Sequence, residues 1–422
     1  MRASLAAGEA WTTAWAASVQ GPYPVGNPSA QPDQSFAFPD ADRGAHDQTF
    51  RLIVRPDLWG HAARLRFSNA LGTRPLHLDG VHIGVQLGGA ALLAGSNRPV
   101  LLGGADGVTI APGEEAWSDA VELPVAPDAH WLQGRKLAVS FHVAGSSGPM
   151  TWHAKALQTS YLTAPGAGSH GTAEDEGAFP FSTASWFFLS ALDMAAPAGT
   201  PVIVCFGDSI TDGTGSTMNG DDRWPDVLSR RLHAARGNRV SVMNAGIGGN
   251  QVIGPAEYGP DRTTPGGPSA LSRLDRDVIA LSGVRTVIWL EGTNDFSRNG
   301  NASLADVRQG MAQGVARLRA AIPGVRVLGA TVLTALGSSS PAHGHPEQDA
   351  RRRGLNDFIR HGGLFDAAID FDAVTHDPAS GRLRAEMVPD STIGAAGDGL
   401  HPNRAGYLAM GLAVDPAAVL PP

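Results

Sequence analysis

The chain is poor in several things, and each shortage excludes something. It has one cysteine, Cys205, in 422 residues, so no intrachain disulfide and no cysteine-based metal site can form. Lysine occurs only as Lys136 and Lys155, and the formal net charge is −8. Without a basic footprint, a general nucleic-acid binder is excluded, and no nucleic-acid partner is expected. No run approaches the roughly 18 apolar residues of a membrane span. The first twenty residues, MRASLAAGEAWTTAWAASVQ, lack an apolar leader core. The protein therefore either stays inside the cell or is written here after a removed leader. Three chemical signatures are also missing: the G-x-S-x-G elbow, the phosphate-binding G-x-x-x-x-G-K-[ST] loop and the zinc helix H-E-x-x-H.

What remains is a globular composition, 42% hydrophobic and 17% charged, in a chain long enough for two domains. Up to about residue 195 the hydrophobic period is two. In KLAVSFHV, Leu137, Val139, Phe141 and Val143 fall on one face, and Ala138, Ser140 and His142 on the other. FRLIVR and LHLDGVHIGV read alike, with Gly and Pro clusters between. This predicts an all-β, jelly-roll-like sandwich over residues 1–198. Seven of the nine tryptophans lie here, and their expected place is the core.

AAPAGTP, residues 195–201, reads as a linker. Beyond it, apolar runs VIVCF, VSVMNAG, VRTVIWLEG and VRVLGATVL alternate with amphipathic helical stretches. A fifth strand is expected around AAIDFDAV, and a last helix from HPNRAGYLAMGLAV. This pattern predicts an α/β domain over 199–422, with a five-stranded parallel sheet covered on both faces. Ligands of such sheets bind beyond the carboxyl ends of the strands.

Those ends are where the polar residues collect. The first strand runs into Gly207-Asp208-Ser209, the second into NAGIGGN and the third into EGTND, while DGLHP precedes the last helix. A serine needs a base before it can attack an ester. A histidine can take and return that proton, and a carboxylate on its other nitrogen fixes the tautomer. Ser209, His401 and Asp398 match those roles. The N–H of Ser209, that of a loop glycine and the amide of Asn294 match an oxyanion hole. Each has a duller reading: Ser209 as a helix cap, Asn294 as a turn residue, Asp398 as a cap with Pro402 opening the helix. Asp208, Asp212 and Asp295 are expected to brace loops. HGHPE, His343 to Glu347, reads as a polar loop before a helix, with a metal pocket as the alternative.

These blocks resemble the GDSL esterase/lipase family, the SGNH hydrolases. GDSITDG is similar to its first block, with Ile210 where the family has Leu, and gives Ser209 as nucleophile and oxyanion donor. NAGIGGN is similar to the second and gives Gly249, with Gly248 as rival. GTND gives Asn294, and DGLHP gives Asp398 and His401. The resemblance implies a flavodoxin-like three-layer α/β/α fold over about residues 200–415 and a serine esterase needing no metal or organic cofactor. Its expected substrates are small-molecule or carbohydrate esters with short acyl or acetyl groups. An acyltransferase using the same site, or a carbohydrate-binding protein on a relic hydrolase fold, are the alternatives. FSNALGTRPL, TWHAKALQTSY and SWFFLSALD resemble the N-terminal region of some bacterial multidomain members.

Overall fold

The computed structural model describes residues 4–420. The chain divides into two compact units. One is built from residues up to Thr200 with Gly259–Thr263, the other from Pro201–Tyr258 with the chain from Thr264 onward.

The first unit holds two main antiparallel sheets. One orders the strands Glu9–Ala16, Leu189–Pro197, Ala62–Ser68 and Glu115–Trp117. The other is centred on His46–Val54, Leu137–Ser146 and Leu76–Gly88. Residues of both sheets share one core. Register explains part of it. Phe141 lies directly opposite Phe50, their rings stack at 5.3 Å, and Phe67 of the facing sheet meets Phe141 edge-on at 5.2 Å. Such pairs add to the burial of apolar area. Trp15, Trp59, Trp152 and Trp186 are buried, whereas Trp131 is exposed. Ser140 and His142, on the face opposite Phe141, are buried as well. The chain after Leu162 covers that face. Arg51, on the same side, donates to the carbonyls of Ala90, Ala173 and Asp175 and lies over the Phe179 ring at 4.1 Å, so much of the cover is polar.

The second unit is a parallel sheet of five strands: β1 (Val202–Gly207), β2 (Ser241–Gly246), β3 (Val284–Leu290), β4 (Arg326–Ala330) and β5 (Ala367–Ile369). Their order is β2-β1-β3-β4-β5, the flavodoxin-like order, with its switch point beside β1. The helices are α1 (Ser209–Asp212), α2 (Trp224–Arg236), α3 (Ala270–Leu274), α4 (Leu304–Ala321), α5 (Pro346–His361), α6 (Phe371–Thr375), α7 (Arg404–Ala413) and α8 (Pro416–Val419). Gly207 is in register with both Gly246 and Leu290. Three loops therefore leave the sheet at one height, and these loops carry Ser209, Gly249 and Asn294.

One expectation is corrected. The fifth strand stops at Ile369, because Asp370 caps α6 by accepting from Ala373 N–H, so FDAV is helical. In the helical run SALSRLDRDVIALS, α3 passes at Asp275 into a π-helical turn to Ile279.

α4 approaches the sheet through Gly314. A Cβ there would lie 2.3 Å from Cη2 of Trp289, a fully buried ring held edge-on to Phe206 at 5.2 Å. In an exposed helix Gly→Ala stabilises by roughly 1 kcal/mol. Here Gly314→Ala is expected to destabilise by about 1–3 kcal/mol through overpacking, read as a lower midpoint in urea unfolding with unchanged slope.

Candidate active site

The turn after β1 places the serine. Asp208, at φ −94°, caps α1 by accepting from Ile210 N–H, and Gly213, at φ +109°, closes it by donating to Ser209 O. The cap is thus Asp208, and Ser209 is the first helical residue with its hydroxyl left for other work. Ser209 Oγ lies 2.8 Å from His401 Nε2. His401 Nδ1 lies 2.6 Å from Asp398 Oδ2. A carboxylate only accepts, so Nδ1 carries the proton and Nε2 accepts from the serine hydroxyl.

Asp398 is fixed by its own loop: Oδ1 accepts from Leu400 N–H at 2.8 Å and His401 N–H at 2.9 Å. Burial opposes its charge, but the hydrogen bond and charge of His401 with these two N–H groups outweigh it and hold the carboxyl well below the usual range. The duller reading of DGLHP fails, since Asn403 caps α7 and Pro402 stands outside the helix. The segment after α1 borders this loop. Tyr407 donates to Thr214 O, Thr392 to Ser216 O and Ser391 N–H to Gly215 O.

On the other side, the two rival glycines differ. Gly248 N–H donates to Asp212 Oδ2 at 2.9 Å. Gly249, at φ +88°, has no intramolecular partner for its N–H among the described residues, and neither has Ser209 N–H. Asn294, nearly buried, donates one Nδ2 hydrogen to Asn250 O at 2.9 Å. Its Oδ1 lies 3.2 Å from His343 Nε2. The three aspartates brace as expected: Asp208 holds Ile210 N–H, Asp212 holds Gly248 N–H, and Asp295 accepts from Val252 and Ile253 N–H.

Beneath the strand ends lies Arg273, fully buried, which sequence reasoning missed. Its Nη atoms donate to Ala245 O and Gly207 O, and its Nε donates to Asn250 Oδ1. It also pairs with Asp277 and Glu291 and lies over the Phe206 ring at 4.1 Å. One cation thus ties together the ends of β1, β2 and β3. In the sequence, Arg273 and Asp277 look like an i,i+4 pair on a solvated helix face, so nothing marked them as buried.

The carboxylates around it are strained by burial. Asp208 is pushed up to about 7 by burial and by Asp295 and Asp212, against Ile210 N–H and Arg273. Burial raises Glu291 well above its usual value, assisted by Asp208 and opposed by Arg273, and its Oε2 has no hydrogen-bond partner among the described residues. Burial also takes Asp295 to about 6.

His343 is the second residue missed in role. Rather than gathering with His345 and Glu347 around a metal, it faces Asn294, while His345 Nε2 meets Pro341 O. Among the described residues no group of three or more His, Cys, Asp or Glu side chains could hold a metal ion. No described helix is long and apolar enough to cross a membrane.

Residues 205–409 match the model of the GDSL-like Lipase/Acylhydrolase family, which makes the protein a carboxylic ester hydrolase. Those residues form a GDSL-like lipase/acylhydrolase domain. A search of curated proteins returned no match. Among solved structures, it is similar to Est24, a carbohydrate acetylesterase from Sinorhizobium meliloti, at 17% identity over 50% of this chain and 96% of that one, with TM-score 0.38. It is also similar to an aryl esterase of M. smegmatis, at 21% identity over 50% and 95%, with TM-score 0.38. A lipase/acylhydrolase from Enterococcus faecalis follows at 23% identity over 50% and 92%, with TM-score 0.36.

Proposed function

We propose that the protein is a serine esterase acting on short-chain acyl or acetyl esters, including those of carbohydrates. Residues 199–422 form its catalytic domain and 1–198 an accessory β-sandwich. The observation that carries the mechanism is the unbroken chain from Ser209 Oγ through His401 to Asp398, beside three N–H donors left for an oxyanion. Ser209 Oγ bonds to the ester carbonyl carbon while its proton passes to His401 Nε2. Charge then develops on the carbonyl oxygen, which receives hydrogen bonds from Ser209 N–H, Gly249 N–H and Asn294 Nδ2. The carbon–alkoxy bond breaks as His401 returns the proton to the leaving oxygen, releasing alcohol. Water then attacks the acyl-enzyme, giving its proton to His401. The acid leaves and Ser209 regains its hydrogen.

Short acyl groups are favoured because the segment bordering His401 is polar and tied down by Tyr407, Thr392 and Ser391, offering no apolar lid for a long chain. Two measurements test the reading. A fluorophosphonate probe is expected to label Ser209, as located by peptide mapping; a folded protein left unlabelled would point to the relic binder. A p-nitrophenyl ester series from acetyl to decanoyl, with acetylated sugars alongside, is expected to give kcat/KM falling at least about tenfold towards decanoyl. Each lost methylene contact is worth roughly 1 kcal/mol only where a pocket exists to bury it. A preference for the long chains would reject the short-acyl assignment.

A further inference from the structure

The loop between β4 and α5 reaches two separate parts of the site. Ser338 Oγ donates to Asp398 O at 2.8 Å and Ser339 N–H donates to the same oxygen at 2.9 Å. Seven residues beyond β4's neighbouring turn at Leu336, the same loop sets His343 against Asn294. Nothing in the mechanism above uses His343.

The hydrogen bonds fix every proton in this corner. Asn250 O can only accept, so the nitrogen of the Asn294 amide must face it. Oδ1 of Asn294 therefore faces His343. That oxygen also only accepts, so His343 Nε2 must carry a hydrogen. In the neutral imidazole Nδ1 is then bare, and it lies 3.1 Å from Ser340 Oγ, which supplies the hydroxyl hydrogen. Rotating the amide by half a turn would set oxygen against the Asn250 carbonyl and NH2 against the imidazole N–H, losing both bonds. With one Nδ2 hydrogen on Asn250 and Oδ1 on His343, the second Nδ2 hydrogen has a single direction left.

We propose that His343 is a positioning residue: its Nε2–H holds Asn294 Oδ1 so that the free Nδ2 hydrogen stays aimed at the developing oxyanion. This rests on the reading of Asn294 as an oxyanion donor. An oxyanion donor is useful only if it needs no reorganisation when the charge appears. An amide held from one side alone swings about its terminal torsion, which is broad. The imidazole is also kept neutral. Burial lowers its pKa to about 4, with His401 acting in the same direction and Asp398 against it. At neutral pH it therefore stays a one-proton donor in the tautomer the amide requires.

The test uses the full chain and a short p-nitrophenyl ester, with thermal unfolding measured for every variant. His343→Leu is expected to lower kcat roughly tenfold, less than the 100- to 1000-fold of losing a donor outright, with KM within about twofold. His343→Gln places an N–H where Nε2 stood and is expected to recover most of that loss. In an Asn294→Ala background, His343→Leu is expected to add less than about twofold, because residues acting through one another do not add. If leucine does not fold, His343→Asn, one bond too short to reach, takes its place. The inference fails if His343→Leu keeps kcat within twofold, if its loss is equally large without Asn294, or if a folded His343→Gln is as slow as leucine. A slow Asn294→Ala beside an unaffected His343→Leu would sink this inference alone. An unaffected Asn294→Ala would instead remove Asn294 from the oxyanion hole, and the inference with it.

Discussion

Ser209→Ala is expected to lower kcat for a short p-nitrophenyl ester by about 10⁴-fold or more, with the melting temperature unchanged within about 2 °C. The two halves of this expectation have separate physical causes. Activity falls because no other atom on this turn can bond to the carbonyl carbon while handing a proton to His401 Nε2, 2.8 Å away. Removing one member of such a relay removes nearly all that the relay contributes. Stability persists because the turn does not depend on the hydroxyl. Its caps are the Asp208 carboxyl and the Gly213 backbone, and both survive the substitution. A folded Ser209→Ala protein that keeps more than a tenth of the wild-type rate would remove Ser209 from the mechanism.

Arg273→Met is the substitution expected to cost most in stability, about 3–5 kcal/mol. Methionine fills similar volume but leaves the carbonyls of Gly207 and Ala245, and the Asn250 amide oxygen, without the donor they now share. It also leaves Glu291 and Asp277 without their buried cation. The deficit should depend on pH, with a definite sign. Asp208 titrates near 7 in the folded protein and near 4 when unfolded. Between those values the native state holds more protons than the unfolded chain, so this group's contribution to stability falls as pH rises. Arg273 lowers the pKa of both Asp208 and Glu291. Without it those values climb and the window widens, so the loss relative to wild type is expected to be larger at pH 8 than at pH 5. Urea unfolding of both proteins at the two pH values measures this. A deficit under about 1 kcal/mol, or one that shrinks on going to pH 8, would show that the arginine is not the keystone of the strand ends.

These two residues differ in how visible they were. Ser209 stands in a block whose spacing announces itself, at the end of an apolar run and before a turn. Asp398 and His401 are three apart in one loop, so their pairing needs little of the fold. Gly248 and Gly249 are adjacent and chemically identical, and only the bond from Gly248 N–H to Asp212, thirty-six residues away, separates them. Arg273 and His343 carry no such marker. Their partners lie on other strand ends, and a polar residue that is buried and satisfied has the same letter as one in water. The burial of the face bearing Ser140 and His142 is hard to read from the sequence for a related reason, because much of its cover is held through Arg51 and backbone carbonyls.

By itself the sequence determined the order of strands and helices after residue 200, the β character before it, and the serine, histidine, aspartate and asparagine proposed for the site. Those properties follow from periodicity and short spacings, which are local. Only the tertiary structure decided which glycine keeps a free N–H, which arginine binds three strand ends, and which histidine grips the asparagine. Each of those is a hydrogen bond between residues far apart in the chain, and such a bond exists only once the register of the sheet has brought Gly207, Gly246 and Leu290 level.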